Sequence, residues 1–309
     1  MSGFNKCYIC NKHNYTFLLS KSNTFLLDFK QLTKFGLSLS VVISSISGYL
    51  LAAKIVDFKT LLLLAFGGYC MVGASNAFNQ IIERVPDSVM PRTQNRPIPS
   101  GRMSVNTAMT IAVIMTVLGI IALYIINPKT AMFSAISVFL YTSAYTPLKP
   151  VTPLCVFVGA IPGAIPFMLG WVAATNHFGI EAGILFAIQF FWQFPHFWAI
   201  GWLQFDAYKK AGFNMMPTNK KNRVATRLTI TYTLIMIVAS IIPVLRKTGA
   251  FYILIPTAII IFGLGLVMLF YGIKLHKQQN DKAARKLMLS SVLYITLIQI
   301  IFVIDKFLH

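Results

Sequence analysis

Nine long apolar runs, parted by short polar stretches, dictate what this chain of 309 residues can fold into. They lie near residues 36–53, 58–82, 107–126, 130–146, 153–175, 180–205, 228–245, 250–273 and 287–304. A helix needs about 20 apolar residues to cross a bilayer core. The only charges inside the runs are Lys59 and Glu181, each near an end. In lipid every backbone polar group must be paired within the segment or in a closed barrel, and runs this long suit helices. Only 11% of the residues are charged, against about a quarter in soluble domains. A soluble fold is excluded, and the expectation is an all-α integral membrane protein of about nine transmembrane helices.

The charges give the orientation. The chain carries 27 Lys and Arg against 8 Asp and Glu, for a net charge of +19. In a soluble protein that excess suggests nucleic acid; here it fits basic loops on the cytoplasmic side. Of the 27 basic residues, 21 fall in the N-terminal tail and the loops after runs 2, 4, 6 and 8. The opposite side keeps six: Lys54, Lys59, Lys129, Arg246, Lys247 and Lys306. An alternation maintained across nine runs places the N-terminus inside and predicts a multi-pass protein of the cell inner (plasma) membrane, with no nucleic-acid partner. Residues 1–34 read as a polar, basic cytoplasmic tail without a cleavable signal, with room for an amphipathic surface stretch. Its Cys7-x-x-Cys10 pair, followed by His13, lacks a second ligand pair and is a weak metal signal. Cys70 and Cys155 lie in apolar runs and read as packing residues.

Two inside loops, after runs 2 and 6, are the long ones, and long loops between compact elements tend to be functional or disordered. The first follows Asn79, Glu83 and Asp87, spaced i, i+4 and i+8. On a helix that spacing stacks three oxygen-bearing side chains along one stripe. Mg2+ favours such hard oxygens, binding through one or two carboxylates and shared phosphate oxygens. Arg92, Arg96 and Arg102 follow, and guanidinium groups pair bidentately with phosphate. Ordinary cytoplasmic arginines at a polar helix end are the plainer account of the arginines alone. Val85 and Pro86 stand within the stripe, and Pro86 predicts a break or kink before Asp87.

Within run 6, Gln189, Gln193 and His196 fall at i, i+4 and i+7 among Trp192, Phe194, Phe197, Trp198 and Trp202. Polar groups in hydrocarbon tend to face a bundle interior or a cavity, and the rings can hold a flat ligand or a cation or simply fill the span. Asp206, Tyr208 and Lys209 follow. A third segment, Tyr141 to Lys149, ends run 4; Tyr145 and Lys149 belong to a YTPLK motif, and Lys149 serves topology or a phosphate contact.

The stripe followed by RTxNRP, together with YTPLK and WQFPHFW…DxYKKAG, resembles the UbiA superfamily of intramembrane prenyltransferases, and within it the members that act on haem. The resemblance covers roughly residues 35–305. It implies a helical bundle around a central cavity open to the cytoplasmic side, with residues 1–34 as a tail and 35–309 as the membrane domain. It further implies transfer of a farnesyl group from farnesyl diphosphate to a vinyl group of haem b, giving haem O and diphosphate. Haem O then feeds haem A synthesis, which makes haem A synthase a partner. On this resemblance Asn79, Glu83 and Asp87 hold Mg2+ and are catalytic together with His196. Arg92, Arg96, Arg102 and Lys149 bind the diphosphate. Tyr145, Trp192, Gln193, Phe197 and Trp198 line the haem or farnesyl site, and Asp206 and Lys209 supply a second motif. Many superfamily members carry aspartates where Gln193 and His196 stand, so His196 contacts haem or handles a proton rather than binding a second metal. The residue after Lys149, often Arg in the family, is Pro150.

Three other functions fit parts of the pattern. An aromatic or quinone-precursor acceptor fits the acidic stripe but not WQFPHFW. A transporter fits Pro162, Gly163 and Pro166 in run 5 but not the absence of charge at the span centres. A haem-handling protein without catalysis fits Val85 and Pro86.

Overall fold

The computed structural model describes residues 24–308. The Cys7, Cys10 and His13 group therefore lies outside the described residues. Among those described, all regular structure is helical, with no strands. A first helix, α1, covers 24–32. The long helices are α2 Phe35–Ala52, α3 Phe58–Ile82, α5 Val105–Ile126, α8 Cys155–Thr175, α9 Ile180–Leu203, α11 Arg223–Ile241, α12 Ile255–Gln278 and α13 Asp281–Lys306. Shorter pieces are α4 Arg84–Val89, α6 Pro128–Phe139, α7 Thr146–Leu148 and α10 Phe205–Lys210. A π-helical turn, Leu140–Tyr145, joins α6 to α7.

Each apolar run coincides with helix, but seven of the helices are both long and apolar enough to cross a membrane. The two that fall short do so for different reasons. The fourth run is divided by the π turn, leaving α6 with 12 residues. In α9, Gln189, Gln193 and His196 lower an otherwise apolar sequence. Side-chain polarity sets the helix starts. Asp57, Ser104, Asn127, Asn222 and Asn280 each cap a first turn by accepting a backbone N–H, as N-cap residues do.

The faces are sorted as a lipid environment requires. On α5, Ala108, Ala112, Gly119 and Ala122 are buried while Val113, Val117, Ile121 and Ile125 are exposed. Small residues face protein because, without a hydrophobic drive between helices in lipid, close backbone approach supplies the packing. The crossing of α2 and α8 is the extreme case. A Cβ at Gly48 would overlap the Phe167 carbonyl oxygen, and one at Gly170 would overlap the Ser45 carbonyl oxygen. In α8, Pro166 has no N–H to give the Pro162 carbonyl four residues back; Ser137 of α6 donates its hydroxyl to that oxygen at 3.1 Å. Cys70 and Cys155 are buried free thiols, in keeping with a packing role.

The last described turns of the N-terminal segment are docked on the bundle. Gln80 of α3 donates to the carbonyls of Gln31 (3.1 Å) and Leu32 (2.7 Å), satisfying acceptors that a helix C-terminus leaves open. Lys34 follows in the left-handed backbone region, with φ 48°. That conformation disfavours a non-glycine residue by about 1–2 kcal/mol and is retained where surrounding structure enforces it.

Candidate functional site

The site begins where α3 ends. Pro86 has no N–H to give the Ile82 carbonyl, so α3 stops at Ile82 and α4 starts at Arg84. The joint is slight. Glu83 N still donates to Asn79 O (2.9 Å) and Asp87 N to Glu83 O (2.8 Å). The stripe of Asn79, Glu83 and Asp87 therefore survives the break, and all three side chains are buried. Val85 is 68% exposed, so it points away from the stripe and displaces no carboxylate from it.

Basic side chains meet each oxygen group. Lys149 Nζ donates to Glu83 Oε1 at 2.6 Å. Arg96 Nη1 donates to Asp87 Oδ2 at 2.6 Å. Lys34 Nζ donates to Asn79 Oδ1 at 3.4 Å, and Asn79 Nδ2 donates to Thr146 Oγ1 at 3.2 Å. The π turn and α7 deliver Thr146 and Lys149 together, and Thr146 Oγ1 back-bonds to Tyr141 O at 2.8 Å. Such turns recur at functional sites because the extra residue re-aims the side chains that follow. The Lys149 ammonium lies 4.5 Å from the centre of the Tyr145 ring and 5.5 Å from that of Phe213, within cation–π range.

Three basic side chains against two carboxylates leave an excess of positive charge that suits an anion. Burial, and then the positive charges of Arg96 and Lys149, push the Lys34 ammonium down to about 7. Burial also pulls on Lys149, but Glu83 beside it outweighs that and leaves it above the usual lysine range. Burial holds Asp87 above the usual carboxylate range, more than Arg96 lowers it. Asp87 Oδ1 is buried with no hydrogen-bond partner. An orphaned carboxylate oxygen beside a second carboxylate and an amide oxygen suits a hard divalent cation. Among the described residues no three His, Cys, Asp or Glu side chains cluster as a metal site. The oxygen set is thus two carboxylates and one amide, and a Mg2+ ion there would need phosphate and water to complete its shell.

The remaining residues singled out in the sequence are dispersed. Arg92 is exposed on the loop after α4. Arg102 turns elsewhere: it donates to Asp28 Oδ1 (2.8 Å), Gln31 Oε1 (2.9 Å) and Asn95 O (2.9 Å). These bonds tie the loop to α1, with Asp28 the carboxylate within its reach. Asp206 and Lys209 lie exposed on α10. Tyr208 of the same helix packs against Phe213, at 6.1 Å between ring centres.

The α9 stripe forms a second polar centre whose hydrogen bonds run to α8 and α13 rather than to α3. Gln193 Nε2 donates to Ala160 O at 2.8 Å. Gln299 Nε2 donates to Ser44 Oγ (3.0 Å) and Gln189 Oε1 (3.3 Å). His196 Nδ1 is 2.8 Å from Ser291 Oγ, and Trp192 Nε1 donates to Ser291 O at 2.6 Å. The His196 ring stacks on Trp192 (4.7 Å) and meets Phe197 edge-on (5.5 Å). Trp198 packs against Tyr232 of α11 at 5.2 Å, and its buried indole N–H has no partner.

Lys34, Phe213 and Ser291 join these centres without having stood out in the sequence, and Thr146 does so from within the YTPLK motif. Lys34 is one basic residue among five in the N-terminal tail, and only its contact with Asn79 distinguishes it. Ser291 and Thr146 are hydroxyls in apolar surroundings, where back-bonding to the helix is the usual fate.

Comparison with known proteins accords with this geometry. A curated protoheme IX farnesyltransferase of Flavobacterium psychrophilum is 63% identical over 285 residues, covering 91% of this chain and 95% of its own. Its counterpart in Christiangramia forsetii is 61% identical over 288 residues, covering 93% and 96%. Among solved structures, a digeranylgeranylglyceryl phosphate synthase superposes with a TM-score of 0.75 at 19% identity, covering 91% of this chain and 98% of its own. A UbiA homologue from Archaeoglobus fulgidus, bound to GPP and Mg2+, gives 0.65 at 13% identity, covering 89% and 99%. The UbiA prenyltransferase family matches residues 41–298, and with relatives of this identity and coverage the chain belongs to that family, as an integral membrane protein.

Proposed function

We infer that the chain transfers a farnesyl group from farnesyl diphosphate to a vinyl group of haem b, adding a water-derived hydroxyl to the same side chain and releasing diphosphate. The observation that carries this is the inner end of α3, where two buried carboxylates and Asn79 are each met by a cation from a different element. The naming of the relatives supports haem as acceptor and farnesyl as donor group.

Ionising an allylic diphosphate puts negative charge on the leaving group. Lys34, Arg96 and Lys149, with Arg92 at the rim, bind and orient it and stabilise that charge with groups already in place. Asn79, Glu83 and Asp87 would hold Mg2+, which supplies Lewis-acid neutralisation of the leaving diphosphate. The Tyr145 ring beside Lys149 shields the donor's reacting end from bulk water. On the acceptor side, Ser291 and Trp192 fix the His196 ring, leaving Nε2 to contact haem or pass a proton. Gln193, Phe197 and Trp198 complete that wall, and Asp206 and Lys209 guide substrates at the surface.

The proposed setting is nine spans around a cavity open to the cytoplasm, with the N-terminus inside, in the cell inner membrane. The π-divided fourth helix and α9 complete the nine. Haem A synthase would consume the product.

The test is pigment analysis in a bacterial host lacking its own haem O synthase. The expected result is a haem heavier by a farnesyl group plus water. Haem b alone, from protein shown to be inserted and folded, would overturn the assignment.

A further inference from the structure

We propose that Asn214, in the loop after α10, is a positioning residue for Lys149: it holds the backbone there in a conformation that Pro150 opposes, and so keeps the ammonium aimed at the donor. This rests on the reading above that Lys149 meets the diphosphate.

The need arises from two adjacent residues. Lys149 has helical backbone angles, φ −53° and ψ −44°, and the next residue is Pro150. A proline ring crowds the N–H and Cβ of the residue before it and pushes that residue towards extended angles. By local preference alone, the backbone at Lys149 would open and change where its side chain points. The helix before it is a weak restraint, since α7 is three residues long and ends at Leu148.

Asn214 supplies the restraint. Its backbone N–H donates to Lys149 O at 2.7 Å, and its side-chain Nδ2 donates to Pro150 O at 2.9 Å. The two bonds grip the carbonyls before and after the proline ring. Among the described residues no other group donates to either oxygen. Asn214 is anchored in turn, because Cys155 Sγ of α8 donates to its carbonyl at 3.4 Å.

The approach of Asn214 is itself built. Gly212 ends α10 in the left-handed region, at φ 77°. Its N–H donates to Lys209 O (3.1 Å), and Phe213 N donates to Tyr208 O (2.8 Å). Those bonds make a Schellman ending, and the Tyr208–Phe213 ring contact is the hydrophobic pair that accompanies it. The chain direction at Phe213 and Asn214 is thereby fixed. Phe213 is buried, with its ring centre 5.5 Å from Lys149 Nζ, while that of Tyr145 is at 4.5 Å. One short segment thus restrains the lysine at its backbone and flanks it at its ammonium. With the side chain buried between rings and Glu83, a shift of its backbone is passed on to Nζ.

The experiment measures binding of farnesyl thiodiphosphate, an unreactive donor analogue, with Mg2+, by calorimetry on the full chain in detergent. The proteins are wild type, Asn214→Ala, Pro150→Ala and the double variant. Expected for Asn214→Ala is binding weaker by about tenfold, misplacement of a positioned group by ~1 Å being worth up to about 100-fold. Pro150→Ala alone should stay within about twofold of wild type. On that background Asn214→Ala should cost less than about twofold, because without the ring Lys149 keeps helical angles unaided. A merely structural asparagine would give no such rescue. Equal weakening on both backgrounds, no weakening on either, or unfolding on both would overturn the proposal. On a Lys149→Ala background, Asn214→Ala should weaken binding no further, since residues acting through one group are not additive; a further tenfold loss would also overturn it. A wild type that binds the analogue but makes no prenylated haem would sink the acceptor assignment and leave the role of Asn214 standing. A wild type that does not bind it would sink the donor role of Lys149, and that of Asn214 with it.

Discussion

Lys149 Nζ stands 2.6 Å from Glu83 Oε1, a buried ion pair between residues 66 positions apart. Breaking a buried pair by removing one partner leaves an uncompensated charge, at about 3–5 kcal/mol. Lys149→Ala should therefore lower thermal stability in detergent by that order and reduce haem O formation by at least about two decades. Lys149→Ala combined with Glu83→Gln should recover much of the stability and none of the activity. Recovery of both would show the pair to be structural only.

Glu83→Gln alone should also lose at least about two decades in rate, the scale of removing a main electrostatic stabiliser, with membrane insertion intact. Near-normal turnover of that variant would remove Glu83 from the site.

Asp87 Oδ1 lacks a partner in a buried setting, so cation binding there should be measurable. Chelation should stop turnover and added Mg2+ restore it. Asp87→Asn should shift the Mg2+ dependence to concentrations at least about tenfold higher, since one charged oxygen donor is lost. An unchanged Mg2+ titration for this variant would exclude Asp87 as a ligand.

Arg102 serves as a control for the arginine cluster. Its bonds to Asp28 and Gln31 predict that Arg102→Ala loosens α1 and changes the KM for farnesyl diphosphate by less than about threefold, half-exposed pairs being worth about 0–1 kcal/mol. Arg96→Ala should raise that KM by more than tenfold, because it also strands buried Asp87. Steady-state kinetics with the donor varied distinguishes the two, and equal effects would contradict the separation of their roles.

His196 is held by Ser291 and stacked on Trp192. His196→Ala should affect the haem side, raising the KM for haem b or lowering kcat by about tenfold or more while the KM for farnesyl diphosphate stays within about twofold. A general base or acid contributes about 10²–10⁴-fold, so a kcat loss in that range favours proton handling and a KM change favours contact. A change confined to the donor KM would place His196 in the wrong half of the site.

The apolar runs, their charge alternation and the Asn79/Glu83/Asp87 stripe are local properties. Hydropathy and helical periodicity act over a few turns, so the sequence by itself determined a helical membrane protein and one oxygen-bearing face at the C-terminal end of α3. Pro86 announced the break before Asp87 because a missing N–H is a covalent fact. The tertiary structure decided what local pattern cannot carry. Lys149 meets Glu83 because a π turn re-aims the chain before α7, whereas Arg102 leaves the cluster because Asp28 lies within its reach. Lys34 enters the site through a docked α1 and a left-handed backbone, neither of which periodicity encodes.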